Sequence, residues 1–148
     1  MRRVAVVGLG RFGMAVVEQL AASGVQVIAI DSDRELVDEV KDRVDIAVAL
    51  DSTDERALRS QEIHKADVLI VAIGENFEAA LLTAVIAKKE LKIPRVICRA
   101  GTSMHAEIFG RSERTRSFNP NQKPGGNWHG NSQIRSLRTL LIWAKDSL

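Results

Sequence analysis

A glycine-rich segment near the start of the chain, Gly8-Leu9-Gly10-Arg11-Phe12-Gly13, has residue types and spacing suited to binding phosphate groups. It fits the pattern G-x-G-x-x-G and directly follows the apolar run Val4–Val7. In this pattern Gly8 makes a tight turn, Gly10 lets the backbone approach a pyrophosphate, and Gly13 lets a helix pack closely on a strand. A helix that begins here presents free N–H groups and the positive end of its dipole to the phosphates.

An acidic residue stands where such a site needs a contact to ribose. Asp31 lies 18 residues beyond Gly13, directly after the second apolar run, Val25–Ile30. A carboxylate there can accept hydrogen bonds from the ribose hydroxyls and repels a 2′-phosphate, so NAD, ATP or ADP is favoured over NADP. The alternative is a glycine turn that binds no phosphate beside an exposed Asp31. We favour the nucleotide site because glycines, strand, helix and acid all agree with it.

Further polar segments follow the later apolar runs, and ligands of open α/β sheets bind at the carboxyl ends of the strands. Asp51-Ser52-Thr53 either contacts the adenine or caps the helix that starts near Asp54, and both roles remain open. In Ala72-Ile73-Gly74-Glu75-Asn76, Gly74 permits close passage of a ligand. Arg99 either clamps a phosphate or other ligand group or donates to a surface salt bridge.

The elements that must position these residues alternate along the first hundred residues. Helices are predicted over 12–23, 33–42, 54–60 and Phe77–Leu91, between strands predicted at Val4–Val7, Val25–Ile30, Ile46–Leu50, Val68–Ile73 and Arg95–Arg99. Helices of this length between strands make crossover connections, which place the strands parallel. The predicted fold class is therefore α/β: a Rossmann-like, doubly wound parallel β-sheet with helices on both faces.

The composition narrows the class of protein. In 148 residues, 45% are hydrophobic and 27% charged, which is typical of one soluble globular domain. The run Val4–Val7 is too short for a signal peptide, and a cytoplasmic location is expected. A single cysteine, Cys98, excludes an internal disulfide, and no metal site is predicted because the histidines are far apart: His64, His105 and His129.

Catalytic residues are not predicted. Beyond the nucleotide crevice, no predicted strand end carries a His, Lys or Tyr placed to move a proton to a substrate. The chain is therefore expected not to be an enzyme. The alternative is a fragment of an NAD-dependent oxidoreductase, and a DNA-binding module is disfavoured because no helix-turn-helix pattern is found.

Residues 1–110 resemble the nucleotide-binding N-terminal domain (RCK or KTN domain) of the Trk and Ktr potassium-uptake regulatory proteins. The resemblance rests on the Gly-Arg-Phe-Gly form of the glycine loop and on the segments Ala29-Ile30-Asp31, Asp51-Ser52-Thr53, Ala72-Ile73-Gly74-Glu75-Asn76, and Val96-Ile97-Cys98-Arg99-Ala100 with His105. It implies a cytosolic regulatory subunit that binds NAD(H) or ATP/ADP and gates a membrane potassium-translocating subunit. It also implies homo-oligomers, as dimers assembled into a ring, docked at the inner face of the plasma membrane.

The resemblance further implies that Arg11 contacts phosphate or a neighbouring ligand and that Arg99 senses it. Motifs and resemblance together predict the following nucleotide-binding residues: Gly8, Gly10, Arg11, Phe12, Gly13, Asp31, Ser32, Asp51, Ser52, Thr53, Ala72, Ile73, Gly74, Asn76 and Arg99.

The segment 111–148 departs from this pattern and is expected to form an atypical tail after a domain of residues 1–110. It contains 7 Lys/Arg and 2 Asp/Glu, whereas residues 1–110 contain 14 and 17. Residues 111–133 lack apolar periodicity, so disorder is predicted there, with a helix only over Ile134–Leu148.

Codons permitted for Ser112–Pro120 restore the family's expected continuation when they are read one base out of frame. The codons TCG GAG CGG ACG AGG TCA TTC AAC CCN, preceded by A, give Ile-Gly-Ala-Asp-Glu-Val-Ile-Gln-Pro in the shifted frame. We therefore interpret the tail from about Arg111 as an out-of-frame translation, which sequencing the gene tests. On this interpretation the basic charge is an accident, no nucleic-acid partner is expected, and the family's sixth strand cannot form from its usual sequence.

Overall fold

The computed structural model describes residues 2–99 and the backbone of residues 140–144, which together contain a six-stranded sheet. Its strands are β1 (Arg3–Val7), β2 (Gln26–Asp31), β3 (Ile46–Ala49), β4 (Val68–Val71), β5 (Arg95–Arg99) and β6 (Leu140–Ala144). They lie in the order β3-β2-β1-β4-β5-β6, and β1 to β5 are parallel. The predicted Rossmann-like α/β fold class is confirmed.

The helices lie between the strands, as the sequence predicted. They are α1 (Arg11–Ala22), α2 (Arg34–Val40), α3 (Glu55–Ser60) and α4 (Phe77–Val85), with a 3₁₀ turn at Ile63–Lys65 and a π-helical turn at Ile86–Glu90. The single helix predicted over Phe77–Leu91 thus changes its hydrogen-bond pattern partway, where the N–H of Leu91 donates to the carbonyl of Ile86 at 2.9 Å. Across the described residues, no helix combines the length and apolar character that crossing a membrane requires.

The sheet is buried on both faces, which explains the continuous apolar runs that predicted the strands. Alternate residues of β1 enter different clusters: Ala5 and Val7 pack on one side of the sheet, and Val4 and Val6 on the other. Cys98 of β5 belongs to the first cluster, and burial raises the pKa of its thiol to about 12. The thiol is therefore uncharged at neutral pH and fills space in the core.

The sixth strand differs from the prediction for the tail. Leu140–Ala144 pairs antiparallel with β5, with Leu140 opposite Arg99 and Ala144 opposite Arg95. The helix predicted over 134–148 is therefore wrong for these five residues. The edge of β5 offers unpaired N–H and C=O groups, and pairing with such an edge overrides local helix propensity. His105 and the predicted disordered segment 111–133 lie outside the described residues.

Candidate functional site

The predicted site residues meet in a crevice at the carboxyl ends of the strands. The chain leaves β1 toward β2 on one side and later returns to β4 on the other, so β1 and β4 flank the switch point where ligands of such sheets bind. A cavity of about 940 Å³ lies there. The predicted residues that line it are Gly8, Gly10, Arg11, Phe12, Asp31, Ser32, Asp51, Ser52, Thr53, Ala72, Ile73, Gly74, Asn76 and Arg99, which leaves out Gly13 alone among those predicted.

The three glycines of the loop meet three different constraints. Gly8 has a φ of +98°, and a Cβ there would lie 2.9 Å from the backbone nitrogen of Ile73. A Cβ on Gly13 would overlap the carbonyl oxygen of Gly8, so Gly13 packs beneath the loop and does not line the cavity. A Cβ added to Gly10 would have no neighbouring atom within 4 Å. The geometries of Gly8 and Gly13 agree with the predicted turn and helix packing, while access of a pyrophosphate to the backbone at Gly10 stays a prediction.

The first turn of α1 provides hydrogen-bond donors at this end of the cavity. Gly10 is the N-cap residue, and no side chain caps the helix. The amides of a first helical turn have no partners within the helix, and the helix dipole adds positive potential there. The side chain of Arg11 is exposed beside them. A glycine loop followed by a helix N-terminus is an arrangement that commonly binds anions in proteins.

Asp31 has a structural role that the sequence did not indicate. One carboxylate oxygen accepts a hydrogen bond from the backbone N–H of Leu9 at 2.7 Å, and the other accepts from that of Asp33 at 2.8 Å. The residue therefore ties the end of β2 to the glycine loop. A carboxylate offers about four acceptor positions, so each oxygen can still accept a hydrogen bond from a ribose hydroxyl.

The segment Asp51-Ser52-Thr53, which follows β3, lines the cavity. The suggested role of capping the next helix belongs to Asp54 instead. Asp54 caps α3 by accepting hydrogen bonds from the N–H groups of Arg56 and Ala57 at 3.0 and 3.3 Å. Asp51 instead accepts from the hydroxyl and the backbone N–H of Thr53, at 2.6 and 2.9 Å. These two hydrogen bonds stabilise the charged form and lower the pKa of Asp51.

A buried hydrogen bond joins this segment to α4. The hydroxyls of Ser52 and Thr83 lie 2.8 Å apart, and both residues are buried. The N-terminus of α4 also reaches the cavity, because Asn76 lines it and caps the helix by accepting from the N–H of Ala79 at 3.0 Å. The turn after β3 and helix α4 therefore form a connected wall.

Of the two roles that the sequence suggested for Arg99, the salt bridge is not formed within the described residues, and the clamp on a phosphate or other ligand group stays a prediction. Across residues 2–99 it forms no ion pair, and its guanidinium carbon lies 4.9 Å from the centroid of the Phe12 ring. Arg11 and Arg99 thus lie at the glycine-loop end. The carboxylates of the lining come from Asp31, Asp33, Asp51 and Glu75. No group of three potential metal ligands is present in the described parts of the chain.

Sequence reasoning missed part of the lining, namely Val7, Asp33, Leu36, Leu50, Glu75 and Ala79. Leu50 and Glu75 are chain neighbours of predicted site residues, which was an available signal. Leu36 and Ala79 belong to α2 and α4, and only the packing of those helices brings them to the cavity. Leu36, Leu50 and Ala79 supply apolar surface of the kind against which a base packs.

Comparison with known proteins gives matches over most of the chain. The TrkA-N domain family matches residues 4–120. The Ktr system potassium uptake protein C of Bacillus subtilis is 38% identical over 110 residues, which are 74% of this chain and 49% of that protein. The Ktr system potassium uptake protein A of Vibrio alginolyticus is 33% identical over 108 residues, 73% of this chain and 49% of that protein. The chain spans about half the length of these relatives.

A solved structure shows the same architecture. The TrkA-N domain of the inner membrane protein ybaL from Escherichia coli superposes with a TM-score of 0.67 at 26% identity, covering 74% of this chain and 81% of that one. The NAD(P)-binding domain of an exopolyphosphatase-related protein from Archaeoglobus fulgidus has a TM-score of 0.66 at 24% identity, covering 76% of this chain and 83% of that one, and shows the fold alone.

Proposed function

Because this chain belongs to the TrkA-N domain family, we propose that it is a nucleotide-binding regulatory subunit of a potassium-uptake system. The observation that carries the proposal is the convergence of the glycine loop, the uncapped start of α1 and Asp31 on one cavity at the switch point of the sheet. The matched relatives, which are named as potassium uptake proteins, support the transport context.

The ligand that we propose is NAD(H) or ATP/ADP. The donors of α1 and the guanidinium groups of Arg11 and Arg99 suit phosphates, while the carboxylate of Asp31 suits a ribose with free hydroxyls and disfavours a 2′-phosphate. Mass spectrometry of nucleotide that co-purifies with the native protein tests this proposal. Calorimetric titration with NAD, NADP, ADP and ATP ranks the candidates, and absence of binding by all four would reject it.

Asp31→Ala is expected to weaken binding of NAD and ADP at least about tenfold. It removes charge-assisted hydrogen bonds to the ribose, each of which contributes about 1.5–3 kcal/mol. The substitution also removes the acceptor of the backbone N–H of Leu9. Part of the lost affinity therefore comes from a glycine loop that is no longer tied to β2. Discrimination between NAD and NADP should narrow as well, because the repelling charge is gone.

The matched control for Asp31→Ala is Asp38→Ala. Asp38 is an exposed carboxylate of α2 whose removal changes the net charge equally, and it does not line the cavity. Calorimetry should give parental affinity for this control. If Asp31→Ala also bound NAD with parental affinity, Asp31 would not be a nucleotide ligand.

We propose that regulation is conformational. A nucleotide that binds one arrangement of the subunit better than another shifts the population toward that arrangement by its difference in affinity. The proposed partner is a membrane potassium-translocating subunit, and the proposed place is the cytoplasmic face of the plasma membrane, where such a shift gates transport. We propose that the site binds its nucleotide without chemical turnover. An assay of hydride transfer from NADH to simple carbonyl compounds separates this proposal from an oxidoreductase.

Self-association is the remaining part of the proposal. Leu82, in the middle of α4, is 46% exposed although the helix is apolar over most of its length. We propose that a second copy of the chain covers this face of α4, in the homo-oligomer that the resemblance to the potassium-uptake regulatory proteins implies. Light scattering is expected to show a dimer or larger species at tens of micromolar. A stable monomer at that concentration would contradict the proposal.

A further inference from the structure

The side chain of Arg99 extends across the carboxyl end of the sheet to the residues that follow the glycine loop. Arg99 ends β5, whereas Phe12 lies in the first turn of α1, directly after the loop that follows β1. β4 lies between β1 and β5 in the sheet. The guanidinium carbon nevertheless lies 4.9 Å from the centroid of the Phe12 ring, so the side chain spans the carboxyl end of β4.

Gly74 leaves the space through which this side chain passes. A Cβ on Gly74 would lie 2.7 Å from Nη1 of Arg99 and 3.5 Å from its Cζ, and it would approach no other atom within 4 Å. The φ of Gly74 lies outside the left-handed region, so its backbone conformation does not require glycine. The path of Arg99 thus accounts for a glycine at position 74, three residues after β4.

The contact with Phe12 fixes the guanidinium group while leaving its donors available. A cation–π contact holds a guanidinium over an aromatic ring without pairing its N–H groups with a carboxylate or carbonyl group. Within residues 2–99 these N–H groups donate to no carboxylate or carbonyl group. Phe12, Gly74 and Arg99 all line the cavity at the end where α1 begins.

We propose that Phe12 is a positioning residue: its ring holds the guanidinium of Arg99, across Gly74, at the place where the phosphates of a bound nucleotide accept its hydrogen bonds. This inference rests on the proposed nucleotide-binding function. It adds a physical reason for the position of the Arg99 guanidinium in the site. An unpositioned arginine would lose side-chain entropy on binding, and an arginine already held over the Phe12 ring would lose less of it.

Calorimetry with ADP and an NMR titration with adenosine test the proposal on the full chain. Arg99→Gln is expected to weaken ADP binding about tenfold, as loss of a charge-assisted hydrogen bond does. Phe12→Leu and Gly74→Ala are each expected to weaken it about three- to tenfold, the first by removing the ring and the second by displacing the guanidinium. Adenosine, which has no phosphate, should bind all variants within about twofold of the parent chain.

Two comparisons separate positioning from a purely structural role. Phe12→Tyr retains a ring and should restore tight ADP binding, and Phe12→Leu should cause no further loss in the Arg99→Gln background. Phe77→Leu, outside the cavity lining, is the control for the same substitution elsewhere. The proposal would be overturned if the variants lost affinity for ADP and adenosine equally, or if Phe12→Leu bound ADP as tightly as the parent chain. A parent chain that bound no nucleotide would instead reject the proposed function, and this inference with it.

Discussion

Gly13→Ala is expected to abolish the folded state, or to lower the free energy of unfolding by at least about 3 kcal/mol, the upper range for overpacking a core. The added Cβ would overlap the carbonyl oxygen of Gly8 and lie 2.8 Å from its carbonyl carbon. Ala72 closes the remaining side, with its Cβ at 3.3 Å. Two of these three atoms belong to the backbone of the glycine loop, so relief requires β1 and α1 to separate. Because domains of this size are stable by only about 5–15 kcal/mol, the loss is severe.

Gly10→Ala is the matched control for this variant. The same methyl group enters the same loop three residues earlier, and it meets no atom within 4 Å. Gly10 has a φ of −70° and a ψ of −166°, which alanine adopts without strain. Thermal unfolding followed by circular dichroism should therefore give a Tm close to that of the parent chain. A Gly13→Ala protein with an equally unchanged Tm would contradict the close packing of α1 on the loop.

Gly10→Val is expected to abolish nucleotide binding while the protein remains folded. Its extended backbone conformation also accepts a β-branched residue, and the side chain would occupy the open space above the loop. That space is where the backbone is expected to meet the pyrophosphate. Affinity for NAD and ADP should fall at least about a hundredfold, equivalent to about 2.7 kcal/mol.

Calorimetry and thermal unfolding must be read together for Gly10→Val. Lost binding with a retained Tm supports a loop that is open for its ligand. Retained binding would place the phosphates elsewhere in the cavity. A strongly lowered Tm would show that Gly10 is needed for the stability of the fold. Gly10→Ala should lie between the parent and valine variants in affinity, because its methyl group fills less of the same space.

The order of strands and helices was predictable because it depends on local signals. Apolar runs buried on both faces, such as Val4–Val7, indicate parallel strands, and Asp54 and Asn76 cap the helices that follow them. The convergence of strand ends on one cavity followed from topology alone. The strand at Leu140–Ala144 was not predictable, because its partner β5 lies about forty residues away and its own residues also suit a helix.

The contacts within the site were less predictable than its location. A carboxylate after β2 indicates a ribose contact, and nothing in the sequence shows that Asp31 also holds the amide of Leu9. The glycine pattern likewise does not distinguish Gly10, which is open, from Gly13, which packs against Gly8. Such contacts depend on distances between elements, which are set when the sheet and helices pack together.

The hydrogen bond between Ser52 and Thr83 ties the turn after β3 to helix α4. Sliding the turn while α4 stays in place would leave two buried hydroxyls without partners, at a cost of about 1–3 kcal/mol each. That cost is comparable with the entire coupling free energy of a typical allosteric protein. We therefore expect the turn and helix α4 to shift together when a ligand displaces the cavity wall. A displacement of the turn would in this way reach the outer surface of α4, where Leu82 is exposed.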